Sequence, residues 1–373
     1  MSNKSIIFLC HSETFFYSHR INIANYISNF GYKISLLFPN RLLINRSNTF
    51  RHIYIGSSHS LFGKFIYLYN LIKFFRKTNI KNIHVIGLES IIFFIITMFF
   101  SNSDNKIIFS FAGLGIIFSS KKIKYRVLSK VVRLILYVGL NKYSNSLFLI
   151  FQNTNDRDNI IKLFIKNFTN YKIIPGSGID LKNFKKTQFN HPFNITFASR
   201  LLIDKGIFEF LKIAKFFIER YPKLNVNFFI AGDIKNSPDY ISRDKLHSFL
   251  NERIKYLGNL NNIYNLLNTT SLFIYPSRYG EGFPKVLIEA SAMSIPIITS
   301  NNVGCRDAIS HEISGFIADD FSPEFISDLI FKFYTNSDFC KLISKNGRTY
   351  AEMNFDINNV NKAHHEIYDS FLH

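Results

Sequence analysis

Short runs typical of β-strands alternate with longer stretches of helical periodicity along most of the sequence. In the first half, the pattern predicts a helix over residues 21–30 and strands at 6–10, 32–38, 81–86, 106–111 and 146–151. Such alternation indicates βαβ units and a mostly parallel sheet, with helices on its faces.

The pattern then starts again near residue 193. It predicts helices over 207–219 and 284–293, and strands at 193–198, 225–231, 271–275 and 295–299. A chain of 373 residues is long enough for two domains. We therefore predict two Rossmann-like domains, 1–183 and 184–355, with a last helix over about 356–373 packing back on the first. Ligands should bind at the carboxyl ends of the strands, in the crevice between the domains.

The positive charge is concentrated in the first half. Residues 1–180 contain 23 Lys and Arg against 6 Asp and Glu, a net +17, whereas residues 181–373 contain 22 against 20. A basic, aromatic-rich surface suits an anionic membrane or a nucleic acid. The alternative is an ordinary basic domain in a lysine-rich proteome.

Other features of composition exclude some classes of protein. The three cysteines are far apart and form no CxxC motif, so neither a disulfide framework nor a structural zinc site is predicted. No secretory signal is predicted, because the apolar run at 6–10 is followed at once by His11 and Glu13. The apolar run at 91–100 is about half of what a spanning helix needs, which favours a buried helix.

The segment after the strand predicted at 271–275 places two carboxylates around a glycine-containing loop. It reads Ser-Arg-Tyr-Gly-Glu-Gly-Phe-Pro-Lys-Val-Leu-Ile-Glu-Ala over residues 277–290. Pro284 suits the first position of a helix, so the loop can present backbone N–H groups to an anion. Glu281 and Glu289 could then bond sugar hydroxyls. From spacing alone, a solvated loop followed by a capping carboxylate is an equal alternative.

The run from Glu281 to Glu289 resembles the E-x7-E motif of family 4 glycosyltransferases, which are retaining enzymes of the GT-B fold. Residues 198–206 (Ala-Ser-Arg-Leu-Leu-Ile-Asp-Lys-Gly) resemble that family's diphosphate clamp, and 175–180 resemble its interdomain turn. Further matching segments follow in the family's order, at 230–233, 256–258 and 302–309. The segments at 16–20 and 113–115 resemble bacterial members that build polysaccharide or lipid-linked oligosaccharide. The resemblance implies an α/β GT-B fold, with two facing Rossmann-like domains and a cleft between them.

The resemblance also implies roles for matching residues. Arg200 and Lys205 would contact the donor diphosphate and neutralise charge on the leaving nucleotide. Glu289 would bond the donor ribose, and Glu281 would face the transferred sugar. The implied catalytic residues are Glu281, Arg200 and Lys205. The implied donor-binding residues are Arg200, Lys205, Glu281, Gly282, Phe283, Pro284, Lys285, Val286 and Glu289.

The mechanism implied for this family needs no protein nucleophile and no metal. The acceptor hydroxyl attacks the face that the nucleotide leaves, and a donor phosphate oxygen helps to remove its proton. Glu281 and Glu289 are therefore not interpreted as the acid/base pair of a hydrolase. Asp156 and Asp158 suggest a DxD metal motif, but they follow Asn153 at a predicted helix start, where carboxylates complement the helix dipole.

One position departs from the family. Many members carry a histidine that contacts the donor sugar just before the glycine corresponding to Gly113, and this chain has Ala112 there. His19 and His11 are candidates for sugar or acceptor contacts together with Gly113, and His84 is a further alternative. Each lone histidine is more often structural than functional.

The resemblance connects the basic half with the acceptor, which the N-terminal domain of GT-B enzymes usually holds. A charge of +17 suits a polyprenyl-diphosphate-linked sugar at a membrane. The segments Leu61–Lys77 and 121–133 mix apolar side chains with cations, as interfacial helices do, although a solvated basic helix is the alternative. We therefore expect a cytoplasmic protein, peripheral on the inner face of the cell membrane.

The leading hypothesis is transfer of a sugar, from a UDP-sugar, to a lipid-linked glycan in the synthesis of a bacterial surface polysaccharide or glycoconjugate. A GT-B sugar-nucleotide epimerase would need no acceptor and no basic face. A basic nucleic-acid- or membrane-binding protein without catalysis would not need Glu281 or Glu289, and no nucleic-acid-binding motif is recognisable. A degenerate scaffold is a further alternative, because of Ala112.

Overall fold

The chain divides into two compact units in a computed structural model that describes residues 4–41, 49–56, 60–101, 105–119, 122–186, 192–278 and 280–372. The first unit is Met1–Ser177 together with Ile357–His373, and the second is Gly178–Asp356. Lys121 and Tyr279, which belong to segments singled out above, lie outside the described residues.

The strands are short and mostly buried. In chain order they are β1 (Ser5–Cys10), β2 (Lys33–Phe38), β3 (Arg51–Tyr54), β4 (Asn82–Ile86), β5 (Lys106–Phe111), β6 (Leu147–Phe151), β7 (Tyr171–Ile173), β8 (Phe193–Ala198), β9 (Val226–Ala231), β10 (Ile254–Tyr256), β11 (Leu272–Tyr275), β12 (Ile297–Ser300) and β13 (Phe316–Ala318).

The helices alternate with these strands. They are α1 (Glu13–His19), α2 (Ile21–Ser28), α3 (Leu61–Lys77), α4 (Leu88–Phe99), α5 (Gly115–Ser119), α6 (Ile123–Lys142), α7 (Thr154–Ile161), α8 (Ile207–Arg220), α9 (Arg243–His247), α10 (Tyr264–Asn268), α11 (Lys285–Ala292), α12 (Pro323–Thr335), α13 (Ser337–Phe355) and α14 (Ile357–Phe371).

Each unit is built on a parallel sheet with one topological switch point. The described strands of the first unit follow the order β3-β2-β1-β4-β5-β6-β7, and those of the second follow β10-β9-β8-β11-β12-β13. In each unit, the chain adds its second and third strands on one side of the first strand (β1 or β8). It then crosses back and adds the remaining strands on the other side. Loops after β1 and β4, and after β8 and β11, therefore diverge at the carboxyl edge, where such sheets bind ligands. The predicted class of two Rossmann-like α/β domains is confirmed.

The apolar run at 91–100 lies in α4. This helix buries Ile91, Phe94, Ile95 and Met98, and it packs between α3 and α6. The predicted buried helix is therefore confirmed. Among the described residues, no helix is both long enough and apolar enough to span a bilayer.

The division between the units lies slightly before the boundary drawn from the sequence. The units divide between residues 177 and 178, whereas the sequence placed the boundary between 183 and 184. Ile179 lies in a cluster with Ile288 and Phe355 of the second unit, and Leu181 and Phe184 pack against this cluster. In the first unit, α14 packs on α2, and its Val360, Ile367 and Tyr368 are part of the core around β1.

Candidate functional site

Three loops meet at the carboxyl edge of the sheet in the second unit, following β8, β11 and β12. Gly206 has φ +85°, and a Cβ at this position would lie 2.1 Å from the carbonyl oxygen of Pro276. Gly304 has φ +82°, and its Cβ would lie 2.5 Å from the carbonyl oxygen of Glu281. Side chains at either position would force the loops apart, so these glycines allow backbone to lie against backbone.

Lys205 and Glu281 form an ion pair where these loops meet. Lys205 ends the 3₁₀ turn Ile203–Lys205, is only 6% exposed, and places its Nζ against Oε2 of Glu281. Tyr275 Oη and Ser277 Oγ donate hydrogen bonds to Oε1 of Glu281, at 2.9 Å and 3.1 Å. The Lys205 ammonium also lies 5.8 Å from the centre of the Tyr275 ring, within reach of a cation–π interaction. Both ends of this carboxylate are therefore held.

Backbone and amide hydrogen bonds keep the loops in register. The N–H of Glu281 donates to the carbonyl of Val303 at 2.9 Å. Asn302 Nδ2 donates to the carbonyl of Ser277 at 2.6 Å. These bonds join the loop after β11 to the loop after β12, so Glu281 is positioned by residues beyond its own segment.

Helix α11 starts at Lys285, four residues after Glu281. Pro284 is its N-cap rather than its first residue, with φ −64° and ψ 112°, so the predicted start is one residue too early. In the first turn, the N–H of Leu287 donates to the carbonyl of Pro284 at 3.0 Å, and the positive end of the helix dipole lies there. This helix start can therefore accept an anion.

Glu289 lies one turn into α11 and is almost fully buried. Its Oε1 is 3.7 Å from the Nζ of Lys285. Burial raises the pKa of Glu289 to about 7, against the opposing effect of the Lys285 ammonium. A carboxyl group that changes charge near neutral pH is rare away from functional sites, although ion-pair networks also produce it.

This raised pKa predicts a pH-dependent stability for the second unit. Both folded and unfolded chains keep Glu289 protonated below about pH 4.5, so the cost of burying its charge is absent there. That cost grows as the pH rises to about 7 and then stays constant. Replacing Glu289 by Gln removes this cost. The difference in free energy of unfolding between the variant and wild type should therefore be about 2 kcal/mol more favourable to the variant at pH 8 than at pH 5, which corresponds to about 5 °C in melting temperature.

Thermal melts at the two pH values measure this difference, and Glu219→Gln is the matched control. Glu219 is an exposed carboxylate on α8, so its replacement should change the two melting temperatures equally. An advantage of Glu289→Gln that is the same at pH 5 and pH 8 would contradict the prediction.

The remaining donor-loop residues contribute in different ways. Arg200 is exposed and forms no ion pair with a described residue, so the structure leaves it outside the Lys205–Glu281 pair. The Phe283 ring packs on Phe355 at 5.1 Å between ring centres, which leaves its backbone for ligand contacts. Gly282 is buried and Val286 half-buried. For Phe283 and Val286, the family resemblance implies contacts through the backbone, and this geometry is compatible with them.

In the first unit, His11 and His19 both pack against one aromatic ring. The ring centre of Phe15 is 5.6 Å from that of His11 and 4.5 Å from that of His19. His11 follows β1 at the switch point, and burial lowers its pKa against the opposing charge of Glu89. Gly113 follows β5 with φ +102°. The two histidines thus share a site region, at the carboxyl edge of their sheet.

His84 is a core residue and not a candidate contact residue, which corrects that alternative. It lies inside β4 and is fully buried. Its Nδ1 is 2.7 Å from Tyr368 Oη, and its Nε2 is 2.6 Å from Ser110 Oγ. Burial holds its pKa well below the usual range. Both ring nitrogens are therefore engaged away from solvent.

The Asp156 segment forms a helix start, as predicted. Asn153 is the N-cap of α7, and its Oδ1 accepts a hydrogen bond from the N–H of Asp156 at 2.8 Å. Asp158 is exposed and pairs with Arg157. Among the described residues, no group of three or more His, Cys, Asp or Glu side chains is arranged to hold a metal ion.

From the sequence alone, no role was assigned to four residues that shape the donor site. Tyr275 and Ser277 hold Glu281, Asn302 joins two loops, and Arg278 contacts the turn that carries Lys205. All four lie at the ends of parallel strands or just after them. This position in the sequence could have identified them as candidate site residues, because the carboxyl ends of neighbouring parallel strands meet at one edge of the sheet.

Comparison with known proteins agrees with this geometry. Residues 179–350 match the family described as Glycosyl transferases group 1. The capsular polysaccharide biosynthesis glycosyltransferase CapM of Staphylococcus aureus is 26% identical over 49% of this chain, and the match spans about half (47%) of CapM. The N,N'-diacetylbacillosaminyl-diphospho-undecaprenol alpha-1,3-N-acetylgalactosaminyltransferase of Campylobacter jejuni is 27% identical over 70% of this chain and 69% of its own.

The fold has solved relatives over its whole length. The crystal structure of Anabaena Alr3699/HepE in complex with UDP aligns with a TM-score of 0.76 at 17% identity, covering 98% of this chain and 100% of HepE. The two parallel-sheet units and the loops around Lys205 and Glu281 define a protein of the GT-B class. The family match covers residues 179–350, which lie within the second unit and are less than half of the chain. The predicted resemblance to glycosyltransferases of the GT-B fold is thus confirmed, while the roles of individual site residues stay predictions.

Proposed function

We propose that this chain transfers a sugar from a nucleotide-sugar donor to a glycan acceptor in the synthesis of a bacterial surface polysaccharide or glycoconjugate. The observation that carries the proposal is the buried Lys205–Glu281 pair beside the start of α11. A cation, a carboxylate and a helix N-terminus at one strand edge suit a ligand that combines a diphosphate with a hydroxyl-rich ring.

The ion pair suggests how the donor is bound. A donor diphosphate competes with Glu281 for the Lys205 ammonium, and Arg200 adds a second cation from the exposed side of the same loop. Once released from Lys205, the Glu281 carboxylate can accept hydrogen bonds from the transferred sugar. Glu289, further along α11, is the carboxylate assigned to the ribose.

The chemistry follows from positioning and charge. Bond cleavage leaves negative charge on the departing nucleotide, which Lys205, Arg200 and the α11 start stabilise. We propose retention of configuration, with the acceptor hydroxyl attacking the face that the nucleotide leaves. No protein nucleophile and no metal ion are then required, so transfer should continue in the presence of EDTA.

UDP is the proposed donor nucleotide. The solved structure of HepE contains UDP, and the fold of this chain aligns with HepE almost from end to end. The donor sugar itself is left open, because the groups around Glu281 can bond hydroxyls of many hexoses.

A lipid-linked acceptor is proposed for the first unit. The name of the Campylobacter relative specifies a diphospho-undecaprenol substrate. The +17 charge of residues 1–180 favours an acceptor with a diphosphate group. His11 and His19, at the carboxyl edge of that sheet, are the proposed contacts to the acceptor or to the transferred sugar.

Two helices of the first unit support a peripheral position on an anionic membrane, on its cytoplasmic face. Each exposes apolar side chains beside cations. On α3 the exposed apolar residues are Phe62, Phe65, Ile66 and Tyr69, and on α6 they are Ile123, Val127, Leu128, Val131, Leu134, Tyr137 and Val138. Lys124, Arg126 and Lys130 are also exposed on α6. Apolar side chains and cations on one helix are typical of interfacial binding.

A panel of nucleotide sugars tests the proposal directly. A UDP-sugar at about 100 times its Kd should stabilise the protein by about 2.7 kcal/mol, which raises the melting temperature by about 5 °C or more. The stabilising sugar should then be transferred to a polyprenyl-diphosphate-linked glycan. An epimer formed from the UDP-sugar alone would favour an epimerase instead, and tight RNA or DNA binding without any nucleotide effect would favour a nucleic-acid-binding protein.

A further inference from the structure

We infer that Arg278 is a positioning residue, which ties the loop carrying Glu281 to the helix that follows Lys205. The inference rests on the proposed donor site and adds to it a residue that lies outside the Glu281–Glu289 segment.

Arg278 makes two contacts to the same neighbouring segment. Its backbone N–H donates to the carbonyl of Asp204 at 2.8 Å, within the turn that ends at Lys205. Its Nη2 forms an ion pair with Oε1 of Glu209, in the first turn of α8. The Glu209 side chain is only 11% exposed, whereas that of Arg278 is 58% exposed. The guanidinium therefore covers an almost buried carboxylate.

These contacts determine the separation of the two donor-site charges. Helix α8 begins at Ile207, so a bond to Glu209 also restrains Lys205, which lies just before it. Glu281 follows Arg278 by three residues. The close contact between Gly206 and Pro276 fixes the two segments at one point, and Arg278 fixes them at a second. With two fixed points, the segments cannot rotate about a single contact.

Arg278 also balances charge. The second carboxylate oxygen of Glu209, Oε2, is buried and has no hydrogen-bond partner among the described residues. Without Arg278, Glu209 would be an uncompensated, nearly buried anion in the helix that adjoins Lys205. Such an anion repels a diphosphate and competes for nearby cations. Loss of Arg278 should therefore weaken donor binding through geometry and through charge.

The experiment compares five variants with wild type: Arg278→Met, Arg278→Lys, Glu209→Gln, the double variant of Arg278→Met and Glu209→Gln, and Arg220→Met. The last is the matched control, because Arg220 is an exposed arginine on the same helix, paired with Asp328 at 3.0 Å. Binding of UDP is measured by calorimetry, melting temperatures are recorded, and KM for the donor is compared with kcat.

Arg278→Met should weaken UDP binding about tenfold, or about 1.4 kcal/mol, and should raise KM for the donor more than it lowers kcat. Arg278→Lys should recover part of the affinity. The double variant should bind no more weakly than Arg278→Met, because it removes the uncompensated carboxylate as well. Arg220→Met should bind like wild type.

Three results overturn the inference. One is that Arg278→Met binds UDP as tightly as wild type does, whereas Lys205→Ala loses UDP binding. That result would leave the proposed function intact. Another is an equal loss of UDP affinity in Arg278→Met and Arg220→Met, accompanied by an equal fall in their melting temperatures. If wild type binds no nucleoside diphosphate at all, the proposed function fails together with the inference.

Discussion

Replacing Lys205 by alanine is expected to lower sugar transfer by about 100-fold or more and to abolish detectable UDP binding. The ammonium is the only cation of the described residues that the structure places against Glu281, and it is almost buried. In a site shielded from water, a charge opposite the donor diphosphate is worth several kcal/mol. The measurements are a transfer assay and calorimetry with UDP.

The fold should survive this substitution, because Glu281 keeps its hydrogen bonds from Tyr275 and Ser277. The double variant of Lys205→Met and Glu281→Gln removes both charges together. It replaces Lys205→Ala in these measurements if that single variant folds poorly. Lys215→Ala, an exposed cation on α8, is the matched control and should leave binding unchanged. Normal UDP affinity in a folded Lys205 variant would disprove the clamp role.

Glu281→Gln gives a second, opposite signature. Because Glu281 competes with the diphosphate for Lys205, its replacement should tighten UDP binding even though it slows transfer. A single substitution that strengthens product binding and weakens catalysis is hard to explain by general loss of structure. If Glu281→Gln weakened UDP binding as much as it slowed transfer, the result would argue against the proposal that the diphosphate replaces Glu281 as the partner of Lys205.

Reversing three charges on α6 should weaken binding to anionic vesicles about 100-fold or more. Lys124, Arg126 and Lys130 are all exposed, and each cation near an anionic surface contributes about 1 kcal/mol. Lys124→Glu, Arg126→Glu and Lys130→Glu, combined in one variant, should therefore release the protein from vesicles that contain phosphatidylglycerol. Wild-type binding should also weaken as salt rises, since screening shortens the reach of surface charges.

The matched control reverses three exposed lysines of the second unit, Lys215, Lys223 and Lys255. The control has the same net charge as the α6 variant, so a difference between them reports the location of the charge. UDP binding should be normal in both, which separates membrane attachment from donor recognition. Salt-independent vesicle binding, or equal losses in both variants, would remove α6 as the proposed contact.

Much of the architecture was predictable because long apolar strands and amphipathic helices have distinct periodicities. The strands predicted at 106–111 and 193–198 agree with β5 and β8 to the residue. Periodicity missed β3, β7, β10 and β13, which have only three or four residues. Short edge strands carry no clear alternation, because only contacts with the neighbouring strand distinguish them from loops.

Histidines illustrate the same limit. Nothing in the sequence distinguishes His84 from His11, since both lie in or just after an apolar strand. The structure separates them: His84 is enclosed between Tyr368 of α14 and Ser110 of β5, whereas His11 lies at the switch point of the sheet. Burial of a side chain depends on elements far away in the chain, and a local pattern does not contain that information.

The sequence by itself determined the two-domain α/β class and the resemblance to a glycosyltransferase family. It also determined which loop carries each candidate donor residue, because these properties depend on local periodicity and on motifs in order. Only the tertiary structure decided that Lys205 pairs with Glu281, that Tyr275 and Ser277 hold that carboxylate, and that Arg278 connects the two segments. The physical reason is strand order. β8 and β11 are neighbours in the sheet although many residues separate them, and that pairing alone brings their loops together.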